Sequence, residues 1–371
     1  MLDHSFNGPA FTIGIEEELM ILDADSLDLA QQIETILAAV PPELEGQVKP
    51  ELMQSVLEIA TTPCRTVADA ANELVRLRRT VGQIAESRGL LLAASGTHPF
   101  ALWENQLIVE RPRYRELADQ LPFIAEQEII FGTHVHVAIE GADRAIYVAD
   151  GIRRYLPLLL ALSANSPFWR ARRTGMMSAR TPVFRAFPRV GIPPHYGTWE
   201  IYSHRVEQMM RGGAIEDYTY MWWDVRPHPN LGTVETRIFD QQTTLDHTVA
   251  LAALTISLAH RMSALYDAEQ PLLESPTELI DDNKVRAAVG GMDGRLIDFW
   301  RGEQVPAEKM ARGLLSELAD DAAELGCTAE LALVELLLEG RTGAHRQLRF
   351  WELRDGNFAR LVSEIAADTR P

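Results

Sequence analysis

The stretch Phe11-Thr-Ile-Gly-Ile-Glu-Glu-Glu-Leu-Met-Ile-Leu22 has the apolar content of a buried strand, yet it carries three consecutive carboxylates. Because side chains alternate between the faces of a strand, Glu16 and Glu18 project side by side from one face. The other face has Glu17 as its only charged member, among apolar side chains: Phe11, Ile13, Ile15, Leu19 and Ile21. Neighbouring carboxylates raise each other's pKa, and a hard cation such as Mg²⁺ between them removes that conflict. A solvated edge strand with one charged face is the alternative interpretation.

The composition is that of an ordinary globular protein, with 371 residues, 46% of them hydrophobic and 24% charged. A formal net charge of -18 argues against a nucleic-acid surface and against adhesion to anionic membranes. Cys64 and Cys327 are too few for a disulfide framework or a cysteine-based zinc site. No N-terminal segment resembles a signal peptide, and the longest apolar run, residues 249–258, is too short to span a bilayer. We therefore expect a cytoplasmic protein.

Two more acids lie in the next apolar run, which extends from residue 51 to residue 61. Its second half alternates and predicts a strand, with Glu58 on the face opposite Leu57 and Ile59. Thr66 then has the character of an N-cap for a core-covering helix that ends at Gly89. A short strand over 90–95 follows, and it ends in a loop with His98. This histidine is either functional or a loop cap.

The stretch Ile129-Ile-Phe-Gly-Thr-His-Val-His-Val-Ala-Ile139 alternates cleanly. His134 and His136 share one face, and the opposite face is mainly apolar. Paired imidazoles at two-residue spacing are suited to metal or phosphate contacts, although a structural role is the alternative. Residues 143–165 then predict a helix that Pro157 kinks or breaks.

An arginine-rich segment, residues 166–194, stands out in this acidic chain. It could bind phosphates or substrate carboxylates through charge-assisted bonds, or it could be a solvated flap, and the sequence favours neither. Its arginines are Arg170, Arg172, Arg173, Arg180, Arg185 and Arg189.

The stretch Gly232-Thr-Val-Glu-Thr-Arg-Ile-Phe-Asp240 alternates again, which places Thr233, Glu235, Arg237 and Phe239 on one face. Glu235 and Arg237 either neutralise each other or act at a metal and a transferring phosphoryl group. Beyond this strand the pattern is mainly helical, over 245–266, 306–325, 328–339 and 353–367. With no repeat and no linker, we expect one α+β domain over residues 1–371, with a mainly helical C-terminal part from about residue 245.

Four strand-like segments thus present polar pairs: Glu16/Glu18, Glu51/Glu58, His134/His136 and Glu235/Arg237. An antiparallel sheet with helices on one face and an open second face would gather them into a cup. Acid-rich ligands with imidazole and arginine fit two or three Mg²⁺ ions around a nucleoside triphosphate better than zinc. The sequence has no Walker-type loop and no dinucleotide-binding fingerprint. We also identified no nucleophile–base pair, so direct transfer to a bound substrate is the simpler hypothesis.

The chain resembles the YbdK-type carboxylate-amine ligases, also called glutamate–cysteine ligase type 2. The resemblance rests on motifs that occur in family order and match more loosely after about residue 270: 11–19, Glu51, 57–61, 96–100, 131–137, 174–180, 184–188, 223–229 and 232–237. It implies a glutamine synthetase-like fold and a homodimer. It also implies ATP-dependent ligation, in which the γ-carboxylate of glutamate forms an acyl phosphate and an amine, typically that of cysteine, displaces the phosphate. Family members can show only weak glutamate–cysteine ligation, so the amine is not readable from the sequence.

The resemblance also implies roles for individual residues. Arg237, Glu58 and His134 would be catalytic, and the cofactor ATP would be bound by His134, His136, Asp224, Arg180 and Arg237. Magnesium ligands would be Glu16, Glu18, Glu51, Glu58 and Glu235. Glu51 departs from the family, which often has aspartate there, but it still supplies a carboxylate.

Two other functions fit parts of the pattern. A metal-dependent hydrolase of the amidohydrolase type also places His-Val-His beside carboxylates, although the regular strand–helix alternation of such barrels is missing here. A non-catalytic nucleotide-binding regulator on the same fold is the second alternative. ADP formation that depends on glutamate and an amine separates the ligase from both.

Overall fold

The computed structural model describes residues 1–273, 275–338 and 340–371. Its strands are β1 Ile13–Asp23, β2 Val48–Pro50, β3 Val56–Ala60, β4 Leu90–Ala93, β5 Gly132–Ala138, β6 Phe168–Trp169, β7 Arg172–Arg173, β8 Val190–Gly191, β9 Trp222–Trp223, β10 Val225–His228, β11 Thr233–Asp240, β12 Arg295–Asp298 and β13 Glu303–Pro306.

Helices fill most of the remaining chain. They are α1 Ile33–Leu37, α2 Val67–Glu86, α3 Pro112–Gln120, α4 Pro122–Ala125, α5 Ala142–Ile152, α6 Leu156–Ser163, α7 Arg180–Phe184, α8 Trp199–Arg211, α9 Leu245–Asp267, α10 Thr277–Gly290, α11 Ala307–Glu317, α12 Ala319–Glu324, α13 Thr328–Ala332, α14 Gly343–Leu353 and α15 Phe358–Thr369. Short 3-10 helices are Pro42–Leu44, Trp103–Asn105, Arg153–Tyr155, Tyr218–Tyr220, Gly291–Asp293 and Leu333–Leu337.

The central sheet is antiparallel, in the order β10-β11-β5-β1-β3-β2, and β4 pairs with the end of β1. β1 therefore lies inside the sheet, between β5 and β3. This position excludes the solvated edge strand that the sequence left open. The outermost strands of the order, β10 and β2, each contain a proline, Pro227 and Pro50.

The back face of β1 is buried as the alternation predicts, with Ile13, Ile15, Leu19 and Ile21 in the core. Glu17 projects into the same core, where it is fully buried. Arg78 of α2 donates two hydrogen bonds to the Glu17 carboxylate, each of 2.7 Å. Thr248 of α9 donates a third, also of 2.7 Å. The charged exception in the apolar pattern is therefore one half of a buried ion pair that joins β1 to two helices.

Helices α2 and α9 cover the back of the sheet. α2 begins where the sequence predicts, because the Thr66 hydroxyl accepts a hydrogen bond of 3.0 Å from the backbone N–H of Asp69. α9 is 23 residues long, and by length and composition it could cross a membrane. However, 78% of its most apolar window is buried inside the protein, so it serves here as a core helix.

Strand β11 departs from the simple alternation. A β-bulge lies between Thr236, which pairs with Val135, and Phe239, which pairs with Thr133. Two residues of β11, Arg237 and Ile238, thus oppose the single residue His134. The expected placement of Phe239 on the face of Arg237 is wrong, because the bulge moves Phe239 into the core.

Several helix boundaries also differ from the sequence expectation. The helix over 143–165 is interrupted at Arg153–Tyr155, and Pro157 then lies in the first turn of α6, where its missing N–H costs little. The helix expected over 306–325 divides at Leu318 into α11 and α12. The helix expected over 353–367 is wrong at its start, because α14 ends at Leu353 and Gly356 turns the chain with φ +75° before α15. Glu339, the expected end of the preceding helix, lies outside the described residues.

Candidate active site

The open face of the sheet aligns the polar pairs of four strands. Glu18 lies directly opposite Glu58 of β3, and Glu16 lies opposite His134 of β5. His136 in turn lies opposite Glu235 of β11. Directly opposed side chains start ~5 Å apart, so backbone pairing alone brings these groups into contact distance.

These side chains line a cavity of about 340 Å³. The sequence-predicted residues in its wall are Glu16, Glu18, Glu51, Glu58, His134, His136, Arg180, Glu235 and Arg237. Glu51 reaches the cavity from the coil after β2 rather than from a strand. Asp224 is not part of the wall. Its buried carboxylate lies 2.6 Å from Lys284 Nζ of α10, and this position does not support a direct contact with ATP.

Among the described residues, one group of ligand atoms could hold a metal ion. Ligand atoms of Glu16, His136 and Glu235 lie within 4.8 Å of one another. His136 Nδ1 is 3.1 Å from the Thr233 hydroxyl, which fixes the ring. His136 Nε2 is buried and has no hydrogen-bond partner in the described part of the chain. It lies 3.7 Å from a Glu16 oxygen and 3.8 Å from a Glu235 oxygen. An orphaned imidazole nitrogen between two carboxylates fits a divalent cation.

A second group of acids crowds together without enough positive charge. Burial raises the pKa of Glu18 to about 7, with repulsion from Glu58 adding to it and Arg180 opposing it. Burial and the neighbouring Glu18 raise the pKa of Glu51 to about 7. Burial, Glu16 and Glu51 raise the pKa of Glu58 well above its usual value, although Lys49 Nζ lies 3.1 Å from it. Oxygen ligands that repel one another are the donor set that Mg²⁺ would stabilise.

In contrast to these acids, Glu235 of the first group and the neighbouring His134 have lowered pKa values. Burial would raise the pKa of Glu235, but Arg226 and Arg237 hold it well below the usual value. Arg226 Nε donates a hydrogen bond of 2.6 Å to Glu235, and Arg237 donates another. Burial and the Arg237 guanidinium lower the pKa of His134 to about 4, so this imidazole is neutral at physiological pH. His134 Nδ1 lies 3.2 Å from Glu16, which orients the ring.

Two arginines offer donors to an anion in the cavity. The bulge of β11 presents Arg237, and Arg180 reaches the cavity from the start of α7. Gly132 makes room for Arg180, because a Cβ at Gly132 would lie 2.5 Å from Arg180 Nη2. The Nε atoms of both arginines are buried and have no hydrogen-bond partner among the described residues. Unpaired guanidinium donors beside a cation site are suited to phosphate oxygens.

The rest of the arginine-rich segment lies elsewhere. Arg170, Arg173 and Arg185 form surface ion pairs with Glu104, Glu352 and Asp281. Arg189 donates to the carbonyl oxygen of Tyr220, and Arg172 is exposed. Such surface pairs contribute little energy, so the flap interpretation describes these arginines.

His98 is a loop cap. It is buried, its Nε2 lies 3.0 Å from the Leu27 carbonyl oxygen, and its Nδ1 accepts a hydrogen bond of 2.9 Å from the Ala101 N–H. Burial lowers its pKa to about 4. These contacts confirm the structural alternative that the sequence left open.

The cavity wall also contains residues that were not expected from the sequence: Arg113, Tyr114, Glu128, Tyr220, Trp222, Arg226 and His228. Arg226 and His228 share one face of β10 at two-residue spacing, the same pattern that identified His134 and His136. That pattern could have found them. Glu128 lies in coil between α4 and β5, where no periodicity applies.

The carboxyl groups with raised pKa predict proton-linked metal binding. In the metal-free fold Glu18 and Glu51 have a pKa of about 7, whereas an unfolded glutamate has roughly 4.3. Between these values the folded state binds more protons, so the contribution of these groups to the free energy of unfolding falls as pH rises. Mg²⁺ needs the ionised carboxylates, so below neutral pH its binding should release protons and weaken as pH falls.

Calorimetric titration with Mg²⁺ in two buffers of different ionisation enthalpy measures the released protons. The Glu18→Gln variant should bind Mg²⁺ more weakly and release fewer protons than the original chain. Equal proton release by both proteins would contradict the assignment of Glu18.

Known proteins resemble this chain over nearly its whole length. The family model described as Glutamate-cysteine ligase family 2 matches residues 12–364. Relatives of this chain carry names such as "Putative glutamate–cysteine ligase 2-1" and "Putative glutamate–cysteine ligase 2". The relative from Rubrobacter xylanophilus is 41% identical over 370 residues, which cover 100% of this chain and 98% of the relative. The relative from Sorangium cellulosum is 40% identical and covers 96% of this chain and 95% of its own length.

Solved structures share the fold at low sequence identity. A glutamate–cysteine ligase from Francisella tularensis, solved in complex with AMP, superposes with a TM-score of 0.70 at 12% identity, covering 100% of this chain and 90% of that one. A bifunctional glutathione synthetase from Pasteurella multocida gives a TM-score of 0.70 at 15% identity, covering 97% of this chain and 52% of that one. These neighbours confirm the expected α+β fold of the glutamine synthetase type, with an open antiparallel sheet.

Proposed function

The chain belongs to glutamate-cysteine ligase family 2, whose enzymes form C–N bonds, and on that premise we propose an ATP-dependent carboxylate–amine ligase. The γ-carboxylate of glutamate would attack the γ-phosphorus of ATP to give an acyl phosphate. An amine such as that of cysteine would then displace phosphate and form the amide. The observation that supports this proposal best is the shared face of β1, β3, β5 and β11, which combines crowded acids with arginines that have unpaired donors.

The acids would hold magnesium in two places. Glu16, His136 and Glu235 would bind one ion, and Glu18, Glu51 and Glu58 would bind one or two more. Bound Mg²⁺ would neutralise the phosphate oxygens and polarise the γ-phosphoryl group. This division modifies the expectation from the sequence, because His136 joins the proposed metal ligands.

The cationic and neutral donors would act on the phosphates. Arg237 is oriented by Glu235 and would stabilise the negative charge on the transferring phosphoryl group. Arg180 would bind a phosphate or a substrate carboxylate through its free Nε–H. His134, neutral and oriented by Glu16, would donate or accept one hydrogen bond at the metals and phosphates. Glu58 would act as a magnesium ligand opposite Glu18, and the bound ion would supply positive charge at the reacting groups.

The single-domain organisation, the homodimer and the cytoplasmic location stay predictions. The arginine-rich segment contributes only Arg180 to this proposal.

A coupled ADP assay tests the function directly. The purified protein, with Mg²⁺ and ATP, is supplied with glutamate and a panel of amino acids and simple amines. We expect ADP only with glutamate and a suitable amine together, or slowly with glutamate alone, and a product amide by mass spectrometry. Turnover of an amide without nucleotide would instead indicate the hydrolase. Nucleotide binding with no ADP across the whole panel would indicate the regulator.

A further inference from the structure

Among the described residues, six glutamates line the cavity, and five of these have a polar partner. Their partners are His134 for Glu16, the Gly132 N–H for Glu18, the Leu52 N–H for Glu51, Lys49 for Glu58, and Arg226 with Arg237 for Glu235. Glu128 is the exception. No hydrogen bond or ion pair joins its carboxylate to any residue in 1–273, 275–338 or 340–371. Glu128 is half-buried in the cavity wall, so its carboxylate is open to a cationic ligand and is not held by a protein donor.

Glu128 also differs from the other five acids in the part of the fold that carries it. It lies in the coil between α4 and β5, tied to the end of α4 by a backbone hydrogen bond of 3.2 Å to the Ala125 carbonyl oxygen. The other five acids lie on the sheet or directly after β2. Burial and repulsion by Glu51 and Glu18 raise the pKa of Glu128 well above its usual value, and the attraction of Arg180 and Arg237 does not offset them. The site around Glu128 therefore favours the arrival of a cation or a proton.

We propose that Glu128 receives the ammonium group of the amine substrate and accepts its proton as the amide forms. The proposal rests on the ligase function above. A metal ion is the other cation that a carboxylate can bind, but the other five acids, with His136, already provide two groups of possible metal ligands. Glu128 belongs to neither group of possible metal ligands, and the ligase reaction needs a residue that binds a cationic amine.

The chemical step needs such a group because an amino acid arrives protonated. The ammonium gives one proton to the Glu128 carboxylate, which frees the nitrogen lone pair. This lone pair forms the C–N bond with the acyl carbon. The C–O bond to phosphate then breaks, and phosphate leaves with the bonding electrons. The nitrogen loses its second proton to the departing phosphate, so the products are the amide and hydrogenphosphate.

The Glu128→Gln variant, tested with two kinds of nucleophile, isolates this role. Gln keeps the size of the side chain but cannot accept the proton. For amino-acid amines we expect kcat/KM to fall by ~10²–10⁴, the usual contribution of a general base. Hydroxylamine is uncharged at neutral pH and needs no base, so hydroxamate formation from glutamate and ATP should be almost unchanged. Glu126→Gln is the matched control, because Glu126 lies two residues away, is exposed and is not in the cavity wall.

Each outcome separates the explanations. If the original chain makes no ADP with hydroxylamine or any amine, the ligase function itself fails. If Glu128→Gln keeps full activity with amino acids, the role of Glu128 is disproved. If the variant loses activity with both nucleophiles and binds Mg²⁺ more weakly in calorimetry, Glu128 is a metal ligand and our inference is wrong. Thermal unfolding checks the fold, and we expect no loss of stability because the substitution removes an unpaired charge.

Discussion

Replacing Arg237 by alanine is expected to lower kcat for ADP formation by ~10²–10³, with little change in stability. The Arg237 guanidinium donates a hydrogen bond to Glu235, and its Nη1 lies 3.4 Å from His134 Nδ1. Its Nε–H has no partner among the described residues and lies beside the proposed phosphate site. Its removal takes away a positive charge that is already in place when negative charge develops on the phosphoryl group. Steady-state rates with saturating ATP, glutamate and amine, together with circular dichroism, measure both effects.

Arg185→Ala is the control for this substitution. Arg185 belongs to the arginine-rich segment but forms a surface ion pair with Asp281. It should therefore retain normal turnover. A near-normal rate of ADP formation in Arg237→Ala would show that Arg237 does not act in the chemical step. Arg237→Lys tests whether charge alone suffices, because lysine cannot reproduce the fork that contacts Glu235 and a phosphate together.

The second large effect concerns stability. Glu17→Ala is expected to lower the free energy of unfolding by ~3–5 kcal/mol, because it leaves the buried Arg78 without its counter-ion. Arg78 also donates to the carbonyl oxygens of Gln242, Thr243 and Thr369, so the unpaired charge cannot turn away to solvent. Urea denaturation monitored by tryptophan fluorescence measures the change.

A double variant distinguishes lost charge pairing from lost packing. Glu17→Leu with Arg78→Met replaces both partners by apolar groups and should recover much of the stability lost in either single variant. Glu18→Gln, at the adjacent position on the opposite face, should lose magnesium affinity without this destabilisation. If Glu17→Ala unfolds at the same urea concentration as the original chain, the pair does not stabilise the fold.

The sequence predicted the site mainly through alternation. In β1 and β5 one face is mainly apolar. Alternation therefore predicts that Glu16 and Glu18 lie together on the other face of β1, and that His134 and His136 lie together on the other face of β5. Pairing of the strands then brings these polar faces together on one surface of the sheet. The residue types further favoured metal and phosphate contacts over other chemistry.

Other features depended on contacts between distant segments. The bulge in β11 separates Arg237 from Phe239, and strict alternation cannot reveal an inserted residue. Asp224 lies in a motif that looks functional, but it pairs with Lys284, sixty positions away. Glu128 enters from coil, and its isolation appears only when every neighbouring donor is placed in space.

The prolines at the two ends of the sheet order constrain how this chain could associate. Pro227 in β10 and Pro50 in β2 each lack the N–H that an added strand would need. A second copy, or an unrelated extended peptide, would meet an interrupted row of donors there. If the chain forms pairs in solution, we therefore expect the contact not to continue the sheet from β10 or β2 as an intermolecular ribbon.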